Sequence, residues 1–327
     1  MKIYDKIRSI ILDLVIWLYL LGSVYYLASL LEISWPLWII ALLAVLLTSF
    51  FRAIKDSPGI KLFGTLEKKW FRSCSGWIIS LLILITMIVG WNVVQVDLVK
   101  LFTRSGNAKG IVSGLFDPNF TLLSQSMKAL AETIYLALLA TVLAVPLAFA
   151  LSFVAARNLM PKTFWGNSFY YLVRTIATIF RSIEALVWAI IFTVWVGIGA
   201  FAGMLALMIH SVAALTKLYS EQIENIDRGQ VEAIKATGAN TLQVWIFAVI
   251  PQIISPYLAF TIYRWDINVR MATIVGFVGG GGIGLLLVQH QQMLRWQNVG
   301  LIIWLIALVV WIMDMVSGKV REKLQEM

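Results

Sequence analysis

The chain has 327 residues, of which 60% are hydrophobic and 13% charged, and its net charge is +9. Soluble domains carry about a quarter charged residues, so this composition excludes an ordinary soluble enzyme and indicates a polytopic membrane protein. A single cysteine, Cys74, excludes a disulfide framework, and two distant histidines, His210 and His290, lack metal-ligand spacing, so no protein-bound metal is expected.

A spanning helix needs about 20 mostly apolar residues. Eight segments are expected to span, at 10–31, 35–51, 77–94, 126–155, 183–197, 199–219, 253–278 and 299–317. The first follows the basic start MKIYDKIRSI but carries Asp13, runs long and leads straight into another apolar segment, so it reads as a retained span and not a cleaved leader. The pair at 183–219 contains VGIGAFAGM, whose glycines Gly197, Gly199 and Gly203 suit a tight turn and close helix approach. Tryptophans near span ends, among them Trp17, Trp35, Trp91, Trp296 and Trp304, read as interfacial anchors.

Charge placement orients the chain. With the N-terminus inside, segments 1–9, 52–76, 156–182, 217–252 and 318–327 hold 3, 6, 4, 3 and 3 Lys or Arg, which makes 19 of the 26. The outer loop 95–125 holds Lys100, Arg104 and Lys109, and the outer loop 279–298 holds only Arg295. This bias places both termini in the cytoplasm. Topology then accounts for the net charge without a nucleic-acid partner.

The inner connection 217–252 is too long to be a bare link. Ile223 and Ile226 mark an apolar face, Asp227-Arg228-Gly229 a turn, and Val231, Ile234 and Lys235 a second short helix. Gly238 suits the left-handed position that ends it, and Asn240 or Thr241 can cap the next helix, TLQVWIFAV. Ala233 and Ala236 give that short helix a small surface beside Glu232, suited to docking on another protein.

This stretch resembles the "EAA" loop of the inner-membrane subunits of binding-protein-dependent ABC importers. That motif runs Glu-Ala-Ala, three residues, Gly, about nine residues, an apolar residue and Pro. Here it stands as Glu232, Ala233, Ile234, Gly238 and Ile250-Pro251, with Ile234 departing from the usual alanine. The resemblance implies that 232–238 form a coupling helix seated in a groove of an ATPase subunit. SPYLAFTIYRWDINVRMATIVGFVGGGGIGLLL, 255–287, is similar to the phosphonate-type permeases in its Tyr263, Arg264, Asp266, Asn268 and Arg270 and its Gly281, Gly282, Ile283 and Gly284. RSIEALVWA, 181–189, also resembles that group, with Glu184 where the pattern often has proline.

The resemblance covers roughly 77–317. It implies an all-α polytopic fold of the type I (MetI-like) importer, a six-helix core plus two N-terminal transmembrane helices. The domains expected are an extension at 1–76 with a basic loop, a permease domain at 77–319 with the coupling loop at about 221–251, and a tail at 320–327. The implied function is the permease subunit of an ATP-driven importer of phosphonate or a related phosphorus oxyanion (phosphite, hypophosphite, phosphate ester) in the bacterial inner membrane. The implied partners are a second permease copy, two ATPase subunits, an extracytoplasmic binding protein and membrane lipid. The chain itself would hold no cofactor, with ATP and Mg on the ATPase subunits. An importer of a different small solute and a stand-alone secondary transporter are the alternatives.

Part of this follows from physics alone. Arg264, Asp266, Asn268 and Arg270 fall within one apolar segment, and intramembrane charges face a bundle interior or a pathway. Asp266 and Arg270, four apart, can pair along one face. Arg264 has no acid at that spacing, so its partner must be another helix, water or a passing anion; Glu184 and Asp13 are the acidic candidates. GGGGIG at 279–284 lacks the Lys-Ser/Thr of a P-loop and reads as a tight outer turn, with Gly281, Gly282 and Gly284 at an outer gate or docking rim. No catalytic motif is present, and the substrate path is expected at Arg264, Asp266, Asn268 and Arg270, with coupling at Glu232, Ala233, Ala236, Gly238 and Pro251.

Overall fold

The computed structural model describes residues 3–29, 37–53, 57–59, 73–161 and 163–325. All regular structure among them is helical. The chain forms two compact units, Met1–Ser105 and Gly106–Met327.

The N-terminal unit contains α1 (Ile3–Ser29), α2 (Leu37–Ala53), α3 (Cys74–Val93) and α4 (Leu98–Thr103). Ile16, Trp17 and Leu20 of α1, Ala44 of α2 and Ile78 of α3 share one buried cluster. This compact unit runs past residue 76, because α3 buries its Ile78 against the first two helices. Asp13 is fully buried and compensated: Arg52 Nη1 lies 2.8 Å from its Oδ2, Ser57 Oγ donates to Oδ2 at 2.8 Å, and the Gly59 amide donates to Oδ1 at 2.6 Å. A buried carboxylate persists only with such partners. Asp13 thus has its cationic partner, Arg52, within this unit. The basic stretch 60–72 and Trp35 lie outside the described residues.

The second unit is built on α5 (Lys109–Phe116), α6 (Leu123–Ala155), α7 (Phe164–Ser182), α8 (Ala185–Val196), α9 (Ala200–Glu224), α10 (Arg228–Ala236), α11 (Thr241–Val244), α12 (Ile250–Gly276), α13 (Gly282–Gln292) and α14 (Trp296–Gln325). Alanines let the central helices approach: Ala137 and Ala140 of α6, Ala185 and Ala189 of α8, and Ala202 and Ala206 of α9 are all fully buried in one cluster. Toward the connection between α9 and α12, Ala144, Ala148, Leu215, Tyr219, Val249, Ile253 and Tyr257 form a second cluster. There the Tyr219 and Tyr257 rings stack at 3.8 Å, and the Tyr257 hydroxyl donates to the Tyr219 carbonyl at 3.0 Å.

Among the described residues six helical segments are long and apolar enough to cross a membrane, and seven if the bent pair α7–α8 counts as one broken span. One of the eight expected spans is corrected. The segment 183–197 is the 12-residue α8, about 18 Å long against a hydrocarbon core of about 30 Å, so it cannot cross alone. It meets α7 at 88°. The described part of the segment 35–51 is the 17-residue α2, at the short end of the ~17–25 residues a spanning helix takes.

The expected outer loop 279–298 also contains a helix, α13. Its Ile283 is fully buried with Leu130, Leu286 and Ile302. Depth explains this. Arg270 lies six residues before the end of α12 at Gly276, yet it meets Asp314, 18 residues into α14. At 1.5 Å per residue these distances are about 9 and 27 Å, so α14 starts well beyond the end of α12 and the chain between them packs against the bundle. Backbone away from a regular span is tolerated at that depth when protein covers it.

Candidate functional site

Two groups of residues are candidates. The first is the connection from α9 to α12. Ile223 and Ile226 are buried in the cluster that holds Tyr219 and Tyr257, and Val231 packs against it. The Asp227 side chain accepts from the Gly229 amide at 2.8 Å and caps α10. The Asp227 amide donates to Gln252 Oε1 at 2.9 Å, which ties the start of α10 to the residue after Pro251. At the other end the Gly238 amide donates to the Lys235 carbonyl at 3.0 Å, with φ +81°. Asn240 and Gln243 then form a reciprocal capping box.

None of the α10 residues is buried, so Glu232, Ala233 and Ala236 face outward from a helix fixed at both ends. Beside it lies a cleft of about 1070 Å³ whose lining includes Arg157, Arg228, Glu232, Lys235 and Trp245. Pro251 follows a π-helical turn, Trp245–Val249, in which the Ile250 amide reaches back to the Trp245 carbonyl. A proline has no amide to donate and crowds the carbonyl four residues earlier. The widened turn accommodates it without interrupting the run from Thr241 to Gly276.

The elbow next to this connection was not foreseen. Glu224 ends α9, and its Oε1 accepts from the Arg157 amide at 2.9 Å and pairs with Arg174 Nη1 at 2.9 Å. The Tyr170 hydroxyl accepts from the same Arg174 at 2.8 Å. These contacts hold α7, whose Phe164, Trp165, Phe169, Tyr171 and Leu172 are exposed.

The second group lies on α12. Arg264, Asp266 and Asn268 are buried, while the Arg270 side chain is 43% exposed. Asp266 and Arg270 pair at 2.7 Å, as their spacing predicts. Arg264 finds its partner on another helix: its Nε donates to Ser211 Oγ at 3.0 Å. Asn268 Nδ2 donates to the same Ser211 oxygen at 2.8 Å and to Thr141 Oγ1 at 2.9 Å. Arg264 and Asn268 therefore join α6, α9 and α12 through two hydroxyls that the sequence reading passed over. Among the described residues Arg264 Nη2 is buried without a hydrogen-bond partner. On the opposite side Arg270 also approaches Asp314 of α14 at 3.6 Å, another residue not singled out beforehand.

The glycine turn between α12 and α13 is closely packed. Gly279, Gly281 and Gly282 have φ of +91°, +78° and +67°. The Gly199 amide donates to the Gly279 carbonyl at 2.8 Å, and the Ile283 amide donates to Thr133 Oγ1 at 2.8 Å. A Cβ on Gly284 would stand 1.9 Å from the Thr273 carbonyl oxygen. Gly281, Gly282 and Gly284 are thus brought together with α6, α9 and the end of α12.

Comparison with known proteins agrees with this architecture. The family described as "Binding-protein-dependent transport system inner membrane component" matches residues 148–321, more than half of the chain. The phosphite transport system permease protein PtxC of Stutzerimonas stutzeri is 32% identical over 238 residues, 73% of this chain and 85% of that one. The phosphate-import permease protein PhnE of Mycolicibacterium smegmatis is 30% identical over 72% of this chain, which spans 44% of that protein's length. Among solved structures, a chain of the MetNI methionine ABC transporter in inward-facing conformations is similar in fold, with TM-score 0.51 at 22% identity, over 62% of this chain and 96% of that chain. An amino acid ABC transporter gives TM-score 0.51 at 19% identity over 64% and 98%. With its family segment spanning the end of α6 through most of α14, the chain belongs to the inner-membrane components of binding-protein-dependent transport systems.

Proposed function

We propose that this permease forms the translocation pathway of an ATP-driven importer for phosphonate or a related small phosphorus oxyanion, such as phosphite, hypophosphite or a phosphate ester. The observation that carries the substrate class is the likeness to PtxC over most of both chains, a protein named for phosphite transport. Solvation physics supports it. An anion entering a bundle loses hydration, and guanidinium groups return charge-assisted hydrogen bonds. Two arginines, Arg264 and Arg270, stand on one spanning helix.

In this reading Glu232, Ala233, Ala236, Gly238 and Pro251 form the coupling element, docked on an ATPase subunit that binds ATP and Mg. The outward face of α10, fixed by caps at both ends, supports that role. Arg264, Asp266, Asn268 and Arg270 line or gate the path, and Gly281, Gly282 and Gly284 form the outer gate or the rim for an extracytoplasmic binding protein. Two permease copies, two ATPase subunits and one binding protein make the working complex, with both permease termini in the cytoplasm. The domain reading is an N-terminal extension attached to a permease domain. Uptake by the reconstituted complex, with phosphite, methylphosphonate, phosphate and methionine as competing solutes, tests the proposal. Selective, ATP-dependent uptake of a phosphorus compound is the expected result; uptake of methionine alone overturns the substrate class.

A further inference from the structure

The seam between α12 and α14 carries charge where a lipid-facing surface would carry none. Arg270 of α12 and Asp314 of α14 have side chains 43% and 50% exposed and approach to 3.6 Å. Seven residues further toward the α14 end, Arg321 sits over the half-exposed Tyr263 ring at 5.1 Å. Arg270, which Asp314 meets, lies eight residues before the end of the apolar segment 253–278, hence about 12 Å inside it. Charged groups at that depth face water or protein, because exposure to lipid is too costly.

The two acids on Arg270 are not equivalent. Asp266 is only 2% exposed and bonds Arg270 Nη2 at 2.7 Å, a fixed counter-ion. Asp314 is half exposed, comes from a different helix, and stands beyond hydrogen-bond reach of the same nitrogen. We propose that this seam lines the translocation path and that Asp314 rests where a substrate oxyanion sits on Arg270 during transport.

The inference rests on the oxyanion reading above. Exchanging the Asp314 carboxylate for a singly charged oxyanion leaves the local charge sum unchanged, so substrate can enter without creating an unpaired guanidinium. The return of Asp314 then releases it, which keeps binding transient, as conduction requires. Arg264, buried and anchored on Ser211, holds helices together in this scheme and does not meet the solute first.

The test uses the full complex in proteoliposomes with Cys74→Ser as background. Asp314→Cys should react with the impermeant anionic reagent methanethiosulfonate ethylsulfonate. Phosphite during ATP turnover should slow that reaction at least ~5-fold, the lower end of typical site-to-site coupling. Ile312→Cys, about 200° around the helix, should not react. Should Asp314→Cys fail to assemble, Tyr263→Cys on the same seam replaces it with the same expectations. A thiol at position 314 that stays unmodified with and without ATP removes the seam from the path and overturns the proposal. Modification that neither phosphite, methylphosphonate nor phosphate slows overturns the stand-in role. If the same complex also fails to take up any of the three, the substrate reading falls separately.

Discussion

Arg264 and Arg270 sit six residues apart on one helix and serve different neighbours. Arg264 reaches inward to Ser211 of α9, while Arg270 stands between Asp266 and Asp314 of α14. Six residues advance a helix by about 240°, so the two guanidiniums leave the axis on different sides. A sequence shows two arginines in one apolar run; only the helix positions separate an interhelical tie from a half-exposed ion pair.

That separation predicts different variant phenotypes. Arg270→Gln leaves Asp266 buried without its short ion pair, and because the Arg270 guanidinium is half exposed and solvent-screened the loss should be about 1–3 kcal/mol. The detergent-solubilised complex should unfold at a clearly lower temperature, and adding Asp266→Asn should restore most of the loss. Arg264→Gln should leave Asp266 paired, lower transport steeply and leave binding-protein affinity for its ligand unchanged. Wild-type uptake by Arg264→Gln would show that the α9–α12 tie is dispensable.

The glycine turn makes a sharper steric prediction. A Cβ at Gly284 would fall 1.9 Å from the Thr273 carbonyl oxygen, whereas one at Gly318 would meet nothing within 4 Å. Gly284→Ala should therefore push α13 off α12 and lower both complex yield and transport. Gly318→Ala should be neutral or stabilising by about 0.5–1 kcal/mol, the usual gain for a mid-helix glycine. Thermal unfolding of the two purified variants, side by side, measures the contrast.

Much of the fold was readable from apolar length, and the rest fails for physical reasons. α6, α9, α12 and α14 contain long apolar runs that no other environment would accept. α7 hides because FWGNSFYYLVRTIATIFRS mixes polar and apolar residues around a helix, and α13 because its 11 residues are too few for a span. The connection at α10 was legible in its punctuation, with Asp227 read as part of a turn where it caps the helix, Gly238 as the left-handed stop and Asn240 as one of two candidate caps. Thr141 and Ser211 were not. A hydroxyl in an apolar helix commonly bonds its own backbone, as Thr141 does to the Ala137 carbonyl at 2.8 Å, and that says nothing of a neighbour across the bundle. Asp314 was within reach: an acid in the middle of VVWIMDMV calls for a partner by the same rule applied to Arg264.

Charge placement also predicts the orientation of the second unit. In a Cys74→Ser background, Lys109→Cys and Lys235→Cys should report opposite sides of the membrane; both positions are exposed in that unit. In intact cells without the ATPase subunit, an impermeant maleimide should label the Lys109→Cys variant and reach the Lys235→Cys variant only after permeabilisation. The reverse pattern would invert the positive-inside assignment.

At the connection between α9 and α12, backbone and charge can be varied separately. Gly238 holds φ +81° with open space around its missing Cβ, so a side chain there is strained by backbone conformation and not by crowding. Left-handed backbone costs an L-residue about 1–2 kcal/mol, and more with β-branching. Gly238→Val should relax the turn after α10 and shift the outward face bearing Glu232, Ala233 and Ala236. Glu232→Lys keeps that backbone and reverses the charge offered to a docked subunit, where like-charge contact costs several kcal/mol. Both variants should reach the membrane at normal levels and lose substrate-stimulated ATP hydrolysis by at least ~10-fold. Gly238→Asn separates the two causes, because asparagine tolerates the left-handed region and should retain most of the stimulation. Equal loss in Gly238→Asn and Gly238→Val would point away from backbone strain. Full stimulation in Glu232→Lys together with Gly238→Val would remove this connection from the coupling path.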